Sequence, residues 1–331
     1  MRDNNATSGQ HVFDHPQAQG KTEIEPYRVG NDFSGKAVTT VERITVCHAS
    51  SSPIKPQVPL TLRCPQNTFA QDVGRSFDRI VEEGWIEFAV YDDYAPWSYE
   101  EKGKAAGVDI EIGRLIAKTL GVEAKFRLVA SGENLEADLL NYVWKGAAVG
   151  GRVSDVMLHV PYDSALVCRV EQVVFTGQYA AENIAIAYRT TDYEEKGPTP
   201  PFFRFDPVAV ENDSIADFYL TSLIGPVDKI HRFRSTAAAV DGLAKGDTKA
   251  AMGPRAELEA GLIRHPKDGL AVHSPPLVGF ARGNWTIGVG INFQHRDLAY
   301  AVDEAIENAL AEGEIARIFQ RYGLTYTPPQ R

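Results

Sequence analysis

From Phe77 onward the chain alternates two hydrophobic rhythms. Phe77, Ile80 and Val81 fall at i, i+3, i+4 and predict a short amphipathic helix. WIEFAVY (85–91) is a mostly apolar run of strand length. After the loop DDYAPWSYEEKGKAAG, the residues Ile112, Leu115, Ile116, Thr119 and Leu120 share one helical face. Asp109 is the expected N-cap of that helix and Gly121 its C′ residue. VEAKFRLV (122–129) alternates as a half-buried strand does. Ser131 is the expected cap of a helix carrying Leu135, Leu139, Leu140, Val143 and Trp144, and SDVMLHV (154–160) is a third strand. The order β-α-β-α-β predicts a mostly parallel sheet with helices on its faces.

A Pro-rich loop, EEKGPTPPFFRFD (194–206), separates this run from a second one. VAV (208–210) is a short strand, and Ser214 opens a helix with Ile215, Phe218, Tyr219 and Leu223. HRFRS is a strand, Ser235 caps a helix to about Lys245, KAAM (249–252) is a strand, and PRAELEAGLI is a helix with Pro254 in its first turn. WTIGVGINF (285–293) returns to a buried strand. Asp297 caps a helix bearing Leu298, Val302, Ile306 and Leu310, and GEIARIFQRYG (313–323) forms the last helix. No solenoid-length repeat is present.

The 331 residues fit two α/β lobes. Residues 1–72 carry scattered Pro, Ser, Asn, Thr and Gln with little periodicity and read as irregular. They contain no apolar h-region of a secretory signal. A start codon placed too early would produce such a segment, and the mature protein is expected to begin near residue 72. The 44 acidic against 34 basic side chains, a net charge of −10, argue against nucleic acid and against an anionic membrane surface. No run reaches the length that spans a bilayer. Cys47, Cys64 and Cys168 form no zinc pattern; one Cys47–Cys64 bridge and three free thiols both fit the count.

No catalytic signature stands out: GxSxG, HExxH and a P-loop are missing, and GVGIN (288–292) lies inside a strand. No cofactor is implied, and no enzyme activity is expected. His159 in MLHV reads as a core-edge histidine with one hydrogen-bond partner. Asp92–Asp93 and Glu100–Glu101 are neighbours that point apart, so they read as solvated loop charges rather than acid/base pairs. Cys168, although beside Arg169, reads as a passive thiol. Tyr91, Tyr94, Trp97 and Tyr99 gather at the carboxyl end of the first strand, where open α/β sheets bind ligands. Rigid aromatic faces there stack on a small organic or cationic group. Trp97 and Tyr99 equally suit packing on the next helix.

WIEFAVYDDYAPWSYEEKGKAAGVDIEIGRLIAKTLGVEAKFRLV (85–129) resembles the opening of the bacterial extracellular solute-binding proteins of family 3, the type II periplasmic binding proteins of polar amino-acid ABC importers. The elements that carry the likeness are Tyr94–Trp97, Gly107–Asp109 and Leu120–Gly121. VAVENDSIADFYL (208–220) resembles the family's second-lobe strand–turn–helix, and DLAYAVDEAIENALAEGEIARIFQRYGLTY (297–326) its C-terminal helices. The likeness covers roughly residues 76–326. It implies two α/β lobes, 73–180 with 285–331 and 184–281, joined by crossings near Tyr179–Asn183 and Ala281–Trp285, that close over a ligand. It also implies a periplasmic monomer, a small polar ligand and permease subunits as partners.

Carried across by motif, Arg169 is the candidate for a ligand carboxylate, since it lies six residues before Phe175 of FTGQY. Tyr94 matches a stacking aromatic, Tyr91 a polar contact, and Ser214 a helix-start hydroxyl. HVPYDSALVC replaces the family's glycine–threonine turn, and Ser164 is the candidate for the lost hydroxyl. In TKAAMGPRAELE, Lys249 and Pro254 stand where the family carries aspartates, the second of which binds the ligand's ammonium. An α-amino acid would leave that ammonium unpaired, so the expectation is a carboxylate-bearing ligand other than a standard α-amino acid, with Arg255 favouring negative charge. The alternative is a binding-protein-like periplasmic accessory of a PQQ-dependent (quinoprotein) alcohol dehydrogenase, acting through protein–protein contacts. The long stretch at 141–165 and the missing ammonium site fit it. A dehydratase-like enzyme on this scaffold needs acid/base residues in the cleft, which the sequence does not place.

Overall fold

The computed structural model describes residues 74–330 other than 149–150, 194–195, 225–226, 267–268 and 280–282. The expectations for residues 1–72, for Cys47 and Cys64, and for the start of the second crossing at 281–282 lie outside the described residues.

The first βα run contains α1 (Phe77–Glu83), β1 (Trp85–Tyr91), the hairpin β2 (Tyr99–Glu101) and β3 (Lys104–Ala106), α2 (Val108–Thr119) and β4 (Glu123–Val129). It continues through α3 (Leu135–Leu139) with a π turn over Leu140–Trp144, then β5 (Val156–Tyr162) and α4 (Ser164–Arg169). β1 lies in parallel between β4 and β5. β6 (Val173–Arg189) leads to the second run: β7 (Val208–Glu211), α5 (Ile215–Ile224), β8 (Ile230–Phe233), α6 (Thr236–Lys245), β9 (Ala250–Pro254) and α7 (Arg255–Ile263). Here β7 is parallel to both β8 and β9. β10 (Leu270–His273), β11 (Asn284–Asn292), α8 (Arg296–Ala311) and α9 (Glu314–Arg321) complete the chain.

The two half-sheets share one strand. β6 pairs antiparallel with β11 from Val173 to Asn183, then with β9 from Ile184 to Tyr188. The strand order is β4-β1-β5-β11-β6-β9-β7-β8, with β10 also on β6. The sheet is therefore mixed rather than mostly parallel. Each βαβ set is parallel by its right-handed crossovers, and the antiparallel members are the strands that pass between the halves. Each half has its own apolar core: Phe88, Ile110, Ile116, Leu158, Val302 and Phe319 in one, Ile186, Phe203, Val210, Leu220 and Met252 in the other. Each such side chain contributes roughly 1.5–3 kcal/mol of transfer free energy. Trp285, in β11, packs against both cores.

Several helix starts differ from the sequence reading. α2 begins at Val108 with Gly107 as N-cap, so Asp109 is inside the first turn and fully buried. Asn134, not Ser131, caps α3 by accepting from the Ala137 N–H at 2.9 Å. α8 starts one residue before Asp297, with His295 as N-cap, and Pro254 is the N-cap of α7 rather than its first residue. β6 has no counterpart in the periodicity, because Thr176, Gln178, Glu182 and Asn183 interrupt its apolar pattern. Ser235 does cap α6, accepting from the Ala238 N–H at 3.2 Å. Ser235→Ala is expected to cost about 1 kcal/mol in urea unfolding with an unchanged slope.

Among the described residues, no helix is long and apolar enough to cross a membrane. Cys168 is an exposed free thiol.

Candidate functional site

The carboxyl ends of β1 and β5 in one half and of β7 and β9 in the other face a shared cavity of about 930 Å³. Placement at strand carboxyl ends follows the rule for open α/β sheets, where helix starts and loops leave the backbone accessible. One wall carries Tyr91, Tyr94, His159, Tyr162 and Ser164; the other carries Glu211, Ser214, Pro254 and Glu257, with Trp285 and Asn284 from the crossing strand.

His159 is the residue most displaced from its sequence reading. Between Met157 and Val160, β5 spends two residues opposite the single Val289 of β11, a β-bulge. His159 adopts φ 60° within it. The bulge turns the imidazole toward the cavity while keeping it 5% exposed. The ring is packed edge-on by Tyr94, with centroids 5.0 Å apart, and by Trp97 at 4.5 Å. Nδ1 lies 3.0 Å from Asp109 Oδ2, and the Tyr179 hydroxyl donates to Asp109 Oδ1 at 2.7 Å. The Tyr179 oxygen also accepts the His159 backbone N–H at 3.1 Å. Asp109 thus takes the Nδ1 edge of the ring, and Nε2 lies 3.5 Å from the Tyr94 hydroxyl. Sequence reading gave this histidine one partner. The structure gives it a buried carboxylate and a place on the cavity wall.

The facing wall is acidic. Glu211 accepts both the backbone N–H and the hydroxyl of Thr236, at 3.0 and 2.9 Å, and so helps to cap α6. Glu257, in the first turn of α7, lies close to Thr236 and, across the cleft, to Tyr94. Burial, reinforced by the nearby Glu211 and Glu182 charges, pushes its carboxyl up to about 8. Glu182 sits on β6 close to where its pairing changes from β11 to β9. Its two oxygens accept the N–H groups of Asn183, Arg255 and Ala256 at 2.7–3.2 Å. Pro254 has no side chain able to cap α7, and this distant carboxylate does so instead. Burial nevertheless raises Glu182 to about 7, against those three hydrogen bonds.

The residues proposed from sequence fall into two groups. Tyr91, Tyr94, Ser164 and Ser214 line the cavity. The Tyr91 hydroxyl is committed to Asp138 at 2.8 Å, and the Ser214 hydroxyl caps α5 through the Asp217 N–H at 3.2 Å. Trp97, Arg169 and Arg255 do not line it. Trp97 is 1% exposed and supports His159 from behind, against Phe319. Arg169, at the end of α4, turns outward to Glu136 at 2.7 Å with its side chain 57% exposed. α4 thus holds Arg169 outside the cavity lining, away from where the expected carboxylate anchor would stand. Arg255 is held by Glu259 at 2.7 Å and Ser274 at 3.3 Å. Asp109, His159, Glu182, Glu211 and Glu257 were not selected from sequence. The one available signal was the acidic side chain three residues beyond Pro254, a single helical turn along the same face.

This is the architecture of the type II periplasmic binding proteins: two α/β lobes with a ligand-sized cleft between them. An ancestral cationic amino acid solute-binding protein superposes with a TM-score of 0.59 at 18% identity, covering 74% of this chain and 98% of that one. The L-cystine solute receptor of Neisseria gonorrhoeae, unliganded and open, superposes with a TM-score of 0.59 at 18% identity, covering 78% and 100%. A histidine kinase sensor domain with similarity to periplasmic binding proteins gives 0.51 at 21% identity, covering 74% and 97%. Residues 86–141 match the model of the bacterial extracellular solute-binding proteins, family 3. The chain resembles that family at both levels, and the matched stretch includes the Gly107–Asp109 turn.

Proposed function

We propose that the protein is a periplasmic solute-binding protein that captures a small polar solute in the cleft and presents it to permease subunits of an ABC importer. The reading is one of binding, not turnover. The observation that carries it is the cavity itself, walled by both half-sheets at their strand carboxyl ends and crossed by β6. The lobes are 73–180 with 285–331 and 184–281, and β6 near Tyr179–Asn183 is one hinge. Glu182 supports this hinge assignment, because it ties the crossing strand to the start of α7. Closure about such a segment is the usual way this architecture signals occupancy.

The solute is not a standard α-amino acid. Pro254 does not decide this, since Glu257 supplies an acidic side chain one turn on. The absence of lysine and arginine from the cavity lining among the described residues does, because an α-carboxylate would have no cationic partner there.

The test is a thermal-shift screen of the full chain against carboxylates, amino acids, amines, alcohols and metal ions. A ligand at 100 times its Kd is expected to add about 2.7 kcal/mol and raise the midpoint by several degrees. If no class of compound shifts the midpoint, solute binding is wrong. The accessory role beside a quinoprotein dehydrogenase then takes its place, to be followed by pull-downs.

A further inference from the structure

We propose that the solute is an organic ammonium ion without a carboxylate, and that Glu257 is its counter-ion; this rests on the solute-binding reading above. The cavity's charged lining is one-signed. Asp92, Asp93, Asp163, Glu211 and Glu257 are its carboxylates, and His159 is its only basic residue among the described positions. An anionic solute entering this space meets these acidic side chains and, among the described residues, no guanidinium or ammonium. The anions of the lining differ in what already occupies them. Asp163 caps α4 through the Ala165 N–H at 2.7 Å, and Glu211 holds Thr236. Asp92 and Asp93 lie at the exposed rim.

Glu257 is different. Among the described residues no cation pairs with it, although it stands in the cleft beside Tyr94 and Thr236. Thr236 has one hydroxyl proton, and that proton goes to Glu211 at 2.9 Å. With the Thr236 hydroxyl committed to Glu211, burial and the neighbouring Glu211 and Glu182 charges favour the neutral acid on Glu257 in the empty cleft. A buried carboxyl kept neutral for want of a cation becomes a carboxylate when a cation arrives. The rest of the wall suits that cation. Tyr91, Tyr94, Tyr162 and Trp285 present ring surface, which attracts ammonium groups and covers their alkyl substituents. A primary or quaternary amine meets both requirements, whereas a zwitterionic amino acid adds a carboxylate that this lining repels.

The experiment is isothermal titration of the full chain at pH 8.5 with four ammonium probes (choline, ethanolamine, putrescine and tyramine), against succinate, L-glutamate and glycerol. Binding of at least one ammonium probe is expected, with succinate and L-glutamate silent. Glu257→Gln keeps the shape but removes the charge. It is expected to weaken the bound probe at least tenfold while leaving the unfolding midpoint of the free protein undiminished. Binding limited to carboxylates or to glycerol overturns the ammonium assignment and leaves solute binding standing. Ammonium binding that Glu257→Gln does not weaken overturns the role of Glu257. Silence of all seven probes overturns the ammonium assignment; if the broad thermal-shift screen is silent too, the solute-binding reading fails with it.

Discussion

Gly107→Ala is expected to destabilise the first lobe by about 4 kcal/mol or more, enough to leave little folded protein at 37 °C. Gly107 is the N-cap of α2 and adopts φ 124°, ψ 174°, a region open to glycine and costly for any residue with a Cβ. Space forbids the change independently. An added Cβ would lie 2.6 Å from the Trp97 carbonyl carbon and 2.9 Å from the Pro96 oxygen. Both neighbours are backbone and cannot rotate away. They are also fixed by use, since Pro96 O accepts the Val108 N–H at 3.0 Å and Trp97 O accepts the Asp109 N–H at 2.9 Å. The loop that carries Tyr94 and Trp97 is thus clamped onto the first turn of α2. The same turn delivers Asp109 to His159 and Tyr179. Urea unfolding of Gly107→Ala beside Gly113→Ala checks the point. The latter meets only side chains, Phe126 and Leu158, which can shift. If the two variants are equally stable, the backbone clamp is not what requires glycine at 107.

That clamp shows what was legible in the sequence and what was not. Gly107–Asp109 stood out as part of a family-like pattern, and Asp109 before an apolar stripe looked like a capping residue. Both signals are local, and the helix is where periodicity put it. What local reading could not show is that the cap is glycine and that the carboxylate faces inward to a histidine fifty residues on. The pairing depends on a bulge in β5, and a bulge is a property of register between strands, not of either strand's own pattern. The same limit hid β6. Its polar positions break the apolar pattern because successive segments of the strand serve different half-sheets.

The binding residues divide along the same line. Tyr91 and Tyr94 follow a strand end, and strand ends fix location, so their place on the cavity wall was legible. Arg169 is placed by counting from a motif, and counting does not show which way a side chain turns. Residues 164–169 form a helix, and that helix turns the guanidinium out to Glu136. Glu257 was visible only as one acidic residue in PRAELE. Its importance comes from Tyr94 of the opposite lobe and from Thr236, neither of which is near it in the chain.

Choline affinity is expected to fall about tenfold for each pH unit below pH 8 and to level off above it. Choline carries a permanent charge, so the slope belongs to the protein. The empty cleft holds Glu257 protonated up to about pH 8. The cation binds the carboxylate form, so below that pH binding must expel one proton. The groups facing Glu257 are Tyr94 from the β1 end, Thr236 at the start of α6, Glu211 on β7 and Glu182 on β6. Arg255 of its own helix is held by Glu259, and His159 is held by Asp109. Among the described residues no facing cation relieves Glu257 until the ligand arrives. The free protein carries the opposite dependence. A carboxyl raised in the folded state from its ordinary 4.5 to about 8 binds its proton more tightly when folded. Its contribution is fully present below pH 4.5 and is lost as the pH rises through 8. Glu182, raised to about 7, acts in the same sense over a narrower window. Glu257→Gln removes the larger part, and its midpoint should match the native protein at pH 4.5 and exceed it by roughly 10 °C at pH 9. Titrations in two buffers of different ionisation enthalpy count the released protons directly. About one proton is expected at pH 6.5 and almost none at pH 9.5. A flat choline affinity from pH 6 to 9, with no proton released, would show that Glu257 is already ionised in the empty cleft.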